Sequence, residues 1–428
     1  MFKLINYISF VKDNPFCFGF FVTLLAYISL SPYAFGADYK NIRIGGSLLL
    51  LLIYGSHFFY GSECKNNTII NNLIIYAFMC IPSIFWAEHI YVCGFKLLEI
   101  WMLILFMILG AKNFNLSFGE NVFHFILWYA VIQTFVAFVG YFVDPLAMVS
   151  EENTVREGRV YVPMLACNFP FITSNSLGLF GAVSFFKAYY MWRCDNGQNS
   201  FSRKLIIGVI AFVGIFVLYE SSSRTSMISG LIGFLFLYKQ TSTNVQRIKT
   251  VILCILISLC FFEQISDVIT SFFYKSFTEE SIAASDNSTD VMLSGRARIW
   301  EGALSNPDDL IFGQGFGVAS HETKEFKDGN AHNSMVEILL NAGIFALFFW
   351  LRFWWLIYKK YKWLKRNKDL LPLPIINYEL AAAIMISFFV KSFGNVSFVY
   401  FTPGDFFVIS VAAFFIYSEK YVHERINV

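Results

Sequence analysis

The residues best suited to chemistry lie in GQGFGVASHETKEFKDGNAHNSMVEILLNAG, residues 313–343. Gly313, Gly315 and Gly317 lead into a polar loop that ends at Ala331-His332-Asn333, where a long apolar run begins. A histidine ordinarily titrates near neutral pH. At the mouth of an apolar helix it can act as general base for a sugar hydroxyl. Asn333 suits the N-cap of that helix. Glu337 lies a little over one turn further on the same face, where it can orient the imidazole or hold an acceptor. The plainer reading of His332 is an interfacial side chain that merely snorkels to water.

Arginines supply the second half of such a reaction. Arg224 follows Ser221-Ser222-Ser223 between two apolar runs. Serine hydroxyls beside a guanidinium fork match phosphate oxygens; the alternative is a charged turn filler. Arg296 and Arg298 follow Ser294-Gly295 and make either a second phosphate clamp or the solvated face of a polar loop. Arg156 and Arg159 precede a run that opens with Thr173, Ser174, Asn175 and Ser176. Polar groups at that depth suggest an aqueous cavity or helix–helix hydrogen bonds. Lys96 with Glu99, and Lys391 before Gly394-Asn395, carry charge into apolar runs. Lys96 and Glu99, three apart, suit a simple pair; Lys391 suits the same cavity as the arginines.

Other motifs say less. The GQGFG glycines lack the GK[ST] of a P-loop and follow no strand of a βαβ unit, so they read as a flexible turn. Asp38 has no DxD partner, which gives metal-assisted transfer little support. The eight cysteines show no paired spacing, and no disulfide framework or metal site is read from them. No cofactor is expected.

The elements that must position these groups follow from composition. The 428 residues are 57% hydrophobic and 14% charged, with 51 Phe, whereas a soluble domain is nearer one quarter charged. One aqueous core cannot hide that much apolar surface. The class is an all-α polytopic membrane protein. Net charge is +2 and no basic block tracks a phosphate backbone, so nucleic acid is not a partner. The start of the chain, with Lys3 and Lys12 before an apolar run, reads as a retained first span.

About twelve runs are long enough to cross a bilayer at roughly 20 residues each. They lie near 16–34, 42–60, 69–86, 92–110, 122–143, 171–191, 204–220, 225–238, 248–263, 333–357, 376–397 and 403–418. They are continuous, not alternating, which favours helices over a barrel. The whole chain, 1–428, reads as one transmembrane domain with a large loop, 264–332, between spans nine and ten. Runs 204–220 and 225–238 form a tight helical hairpin with Ser221–Arg224 at its tip. Gly295 to Leu304 suit a short interfacial helix anchored by Trp300.

Lysine and arginine set the orientation. With the N-terminus inside, cytoplasmic loops hold about eighteen of them against about ten outside. The block Lys359, Lys360, Lys362, Lys365, Arg366, Lys368 reads as a cytoplasmic anchor, with anionic lipid binding the lesser alternative. On this topology His332 and the arginine segments all face outward.

Three segments together resemble the O-antigen ligase and polymerase superfamily of bacterial envelope proteins (WaaL/Wzy-like). They are SSSR (221–224), SGRARIW (294–300), and the run from IFGQGFG (311–317) to AHNSMVEILLNAG (331–343). His-Asn, then nine residues, then Gly343 fits the family pattern; Ala346 stands where a small polar residue or glycine is common. The similar region spans roughly 170–350.

The resemblance implies a GT-C-like architecture in the bacterial inner membrane and metal-independent, inverting glycosyl transfer at the periplasmic face. It also implies a glycan on undecaprenyl diphosphate as donor, membrane lipids as surroundings and a chain-length regulator protein as partner. His332, Arg224 and Arg296 are then the expected catalytic residues. Arg156, Arg159, Arg298, Ser223, Asn175, Asn333, Glu337 and Gly315 are the expected substrate contacts. The Phe-, Ile- and Asn-rich composition favours a repeat-unit polymerase, with the ligase as alternative. A lipid-linked sugar transporter would favour two similar halves, which the single large loop breaks.

Overall fold

The computed structural model describes Leu48 and residues 67–87, 89–113, 116–143, 165–168, 171–194, 200–260, 300–301, 309–317, 331–395, 398–399 and 404–426. The expected runs 16–34 and 42–60 (Leu48 apart), Asp38, and most of the loop 264–332 lie outside the described residues.

Every expected run from 69–86 onward coincides with a helix. The helices are α1 (Thr68–Cys80), α2 (Ile90–Asn113), α3 (Leu116–Val143), α4 (Ser174–Arg193), α5 (Phe201–Glu220), α6 (Arg224–Thr241), α7 (Asn244–Cys260), a single turn α8 (Asp309–Phe312), α9 (Ser334–Arg366), α10 (Ile375–Lys391) and α11 (Asp405–Ile426). Local chemistry sets their ends. Asn67 caps α1 by accepting from the Ile69 and Ile70 N–H groups at 3.0 and 3.3 Å. Past Cys80 the chain tightens into a 3-10 turn, Ile81–Trp86, where Pro82 has no N–H to continue the α-helical ladder. Among the described residues, four helical stretches are long and apolar enough to cross a membrane: Thr68–Phe85, Ile126–Val143, Phe201–Glu220 and Ser334–Arg366.

Several boundaries differ from expectation, three of them near polar segments. The run 171–191 opens as a strand, Phe171–Ile172, paired antiparallel with Cys167–Asn168, and becomes helical only at Ser174. The run 376–397 stops at Lys391 and turns through Gly394-Asn395. The run 333–357 continues as α9 to Arg366, placing most of the lysine block on the helix itself.

The 204–220/225–238 hairpin is tight in its turn but not in its arms. α5 lies mainly along α4, and α6 lies mainly along α10. Glycine backbones cause this. A Cβ on Gly181 of α4 would come within 2.6 Å of Gly214 O on α5, and one on Gly233 of α6 within 2.8 Å of Ala383 O on α10. Such close approach is the usual means by which helices pack without a hydrophobic drive from lipid.

Between these helices the core is aromatic, with Phe180, Phe186, Trp350, Phe353, Tyr378, Phe388 and Phe414 all essentially buried. Polar ties cross it sparingly. Thr134 and Ser184 hydroxyls meet at 2.9 Å between α3 and α4, and Asn72 Nδ2 donates to Phe349 O at 2.8 Å between α1 and α9. At the C-terminal end of α9, Lys365 reaches Glu379 at 2.8 Å and Gln240 at 2.6 Å, and Lys360 pairs with Glu419. The polar network described next lies at the opposite end of α9.

Candidate functional site

A short turn after α10 holds the site together. Beyond Lys391 the helix tightens, and the N–H groups of Gly394 and Asn395 both return to Lys391 O at 3.0 and 2.9 Å. That leaves the carbonyls of residues 392–395 available to neighbours. Ser392 O accepts from Ser334 N–H at 2.8 Å. Phe393 O accepts from Asn333 Nδ2 at 3.0 Å, and Asn395 O from the Ser334 hydroxyl at 3.2 Å. Gly394 O accepts from the Thr225 hydroxyl at 3.3 Å. The first residues of α9 and of α6 therefore dock on one four-residue turn. His332 immediately precedes Asn333, and Arg224 immediately precedes Thr225. The two groups expected to act together thus stand at the same end of the bundle, against the same turn.

The hairpin tip is anchored through its serines. Ser223 caps α6 by accepting from Ser226 N–H at 3.3 Å, and its hydroxyl donates to Asn175 Oδ1 at 2.6 Å. The Ser226 hydroxyl donates to Asn175 O at 2.6 Å, and that of Ser221 to Leu218 O at 2.8 Å. Ser221 and Ser223 are buried, while Arg224 is half-buried. Asn175, at the start of α4, is thus tied directly to the tip that carries Arg224. The segment following Arg156 and Arg159 also comes back here, with Leu165 N–H donating to Glu220 O at 3.1 Å.

The turn before α9 is fixed from several sides. Asn333 caps the helix, its side chain accepting from Met335 and Val336 N–H at 2.9 and 3.3 Å. Glu337 is fully buried in the first turn. One of its oxygens accepts from Ala331 N–H at 2.8 Å and the other from Asn341 Nδ2 at 3.1 Å. Ala331 O accepts from the Trp300 indole N–H at 2.8 Å. This bond ties the SGRARIW segment to the AHN turn. His332 itself has φ +50°, in the left-handed region. The other non-glycine residues with positive φ, among those described, are Ser222 at the hairpin tip and Phe398 just past the docking turn. Such conformations cost of order 1–3 kcal/mol each, persist only where neighbours over-determine them, and gather at functional sites.

The glycine segment is fastened, not the flexible turn expected of it. Gly343 breaks the ladder of α9 with φ 80° and ψ −178°. Carbonyls released by that break are taken up by the glycine segment: Gln314 N–H donates to Leu340 O at 2.6 Å and Gly315 N–H to Asn341 O at 3.2 Å. Gly317 N–H donates to Asn341 Oδ1 at 3.1 Å, and Phe316 N–H to the Ser83 hydroxyl at 3.0 Å. The N–H of Gly315 thus serves α9. Gly317 also lies against the stem of Lys96, whose ammonium pairs with the buried Glu99 at 3.1 Å as its spacing suggested. Lys391 is buried at the foot of the docking turn, within electrostatic reach of the buried Asp405.

Of the expected site residues, Asn333, Glu337, Ser223 and Asn175 are tied by hydrogen bonds around this end of the bundle, Gly315 joins them through Asn341, and His332 and Arg224 stand next to them in the chain. Arg156, Arg159, Arg296 and Arg298 lie outside the described residues. Sequence reasoning missed the docking turn, although Gly394-Asn395 inside an apolar run is a turn signal. It also missed Asn341, whose polar side chain on a buried helical face was the available clue. Among the described residues no three His, Cys, Asp or Glu side chains are grouped to hold a metal ion.

Residues 209–351, roughly a third of the chain, match the family model described as O-antigen ligase. That span begins later than the region of resemblance. It holds the hairpin tip, SGRARIW, the glycine segment and the AHN turn, and leaves out Asn175 and the docking turn. No curated protein matches the chain. Members of the matched family are glycosyltransferase-like enzymes. Through residues 209–351, this apolar, helical chain is similar to the O-antigen ligase/polymerase superfamily.

Proposed function

We propose that the protein is an inner-membrane polymerase that joins undecaprenyl-diphosphate-linked repeat units at the periplasmic face. The observation that carries this reading is the docking of Thr225, Asn333 and Ser334 on the one turn at residues 392–395, which sets Arg224 and His332 at a common end. His332 takes the proton of the acceptor sugar's hydroxyl. The oxygen attacks the anomeric carbon of the donor glycan, and the bond to the diphosphate breaks with inversion. Undecaprenyl diphosphate leaves with the electron pair, and His332 releases its proton to water. Arg224, with Arg296 and Arg298 from the segment just before Trp300, offsets the charge that develops on the leaving group. Arg156 and Arg159 extend that clamp. Arginines in this role replace both a metal and a general acid. Two reactants held in one plane by their lipids supply the proximity. A chain-length regulator is the partner that fits such a polymerase.

A second reading, transfer of the finished glycan to lipid A-core, draws on the description of the matched family as O-antigen ligase. The glycan profile of a deletion strain separates the two. Cells capped with one repeat unit mean a lost polymerase, and bare core with polymer retained on the carrier means a lost ligase. In a purified assay the protein is expected to lengthen a lipid-diphosphate-linked glycan, and His332→Ala to abolish this while still inserting. Substrate that crosses the membrane with its bonds intact would instead identify a transporter.

A further inference from the structure

We infer that Glu337 and Trp300 clamp the Ala331 peptide from both sides and act as positioning residues for His332. The inference rests on His332 being the base in the proposed transfer, and it moves Glu337 away from substrate. Both oxygens of the Glu337 carboxylate are engaged inside the protein, by Ala331 N–H at 2.8 Å and by Asn341 Nδ2 at 3.1 Å, and the side chain is fully buried. A carboxylate held this way does not reach a sugar. It does fix the N–H side of the residue before His332. The indole of Trp300 fixes the carbonyl side at 2.8 Å.

The need for such a clamp is visible in the backbone. His332 holds φ +50°, which disfavours an L-residue by roughly 1–2 kcal/mol. Without restraint the turn would relax, and the imidazole would swing away by more than the tolerance of a proton transfer, where displacement of about 1 Å already costs about 100-fold. Asn341 completes the device. It braces Glu337 through Nδ2 and receives Gly317 N–H on Oδ1 at 3.1 Å. The two side chains, one helical turn apart, therefore hold the chain where it leaves α9 at Gly317 and where it returns at Ala331. Arg298 stands two residues before Trp300 in the chain, so the clamp that sets the base is also joined to the segment bearing the proposed phosphate arginines.

The test uses the full-length protein in detergent or vesicles with a lipid-diphosphate-linked glycan, and reads kcat and KM separately. Glu337→Gln keeps the side-chain shape but presents an amide N–H₂ to one of two donors, so one bond is lost. Trp300→Phe keeps an aromatic ring and removes the indole N–H together with the pyrrole ring. Each is expected to lower kcat about tenfold with KM for the lipid donor and the melting temperature unchanged. A raised KM with unchanged kcat would show Glu337 on the substrate and overturn the clamp. A fall in melting temperature that accompanies the loss of kcat in both variants would reduce it to general folding. If Glu337→Gln does not fold, Trp300→Phe alone decides: unchanged kcat overturns the proposal. Wild-type protein that transfers no glycan overturns the functional reading and this inference with it. Active wild type, inactive His332→Ala and fully active clamp variants overturn this inference alone.

Discussion

Arg224 illustrates how one position becomes chemical through what surrounds it. Its neighbours on both sides are committed to structure, Ser223 to the cap and Asn175, and Thr225 to the docking turn. The guanidinium between them is the charged group of the tip and is half-buried. If it grips diphosphate oxygens with two parallel N–H bonds, a lysine cannot replace it, because an ammonium is a point charge without the fork. Loss of one charge-assisted bond costs about 1.5–3 kcal/mol, and about 1.4 kcal/mol is tenfold in rate. Arg224→Lys is expected to lower kcat/KM roughly 10- to 100-fold while thermal stability is retained. A lysine variant with wild-type kcat/KM would return Arg224 to the role of turn filler. At the same scale, Ser221 and Ser223, expected as hydroxyl donors beside the guanidinium, are buried. The sequence offers serines at a turn with either fate, and only the neighbouring helix decides between them.

At the scale of elements, α9 is the part on which the others converge. Its broken ladder at Gly343 is what allows the glycine segment to dock. A Cβ at Gly343 would lie 2.1 Å from Ile311 O, in a backbone conformation that only glycine adopts without strain. Gly343→Ala is therefore expected to lower stability by about 3 kcal/mol. It should also free the segment that Asn341 holds, and activity should fall with it. Thermal unfolding in detergent checks the first part, and a melting temperature equal to wild type would refute it. The spacing from His332 to Gly343 was plain in the sequence, but its purpose was not. A glycine eleven residues into an apolar run reads equally as a small residue for close helix packing. The kink becomes legible only when Leu340 O and Asn341 O are seen to accept from Gln314 and Gly315.

For the whole molecule, the polar groups sort to two ends of an apolar bundle. One end gathers the starts of α6 and α9 with the turn after α10. The other holds Lys360, Lys365, Glu379 and Glu419. On the proposed topology, which puts the lysine-rich end in the cytoplasm, an impermeant thiol reagent is expected to label Phe393→Cys in intact spheroplasts, and Lys368→Cys only after permeabilisation. Both positions are exposed, and reversed labelling would invert the proposed topology and with it the proposed periplasmic location of the site. The helical class, the place of each membrane-length described helix in the chain, and the identity of His332, Arg224 and Asn333 as a candidate set were all determined by the sequence. Each depends on local composition: apolar run length, capping residues, charge at run ends. What only the tertiary structure decided is which of those ends meet. The docking turn joins residues 225, 333 and 394 through backbone carbonyls, and a carbonyl is present at every position, so no residue type marks it. The same holds for the bond from Trp300 to Ala331 O. Side chains announce chemistry in a sequence, but the backbone groups that bring them together do not.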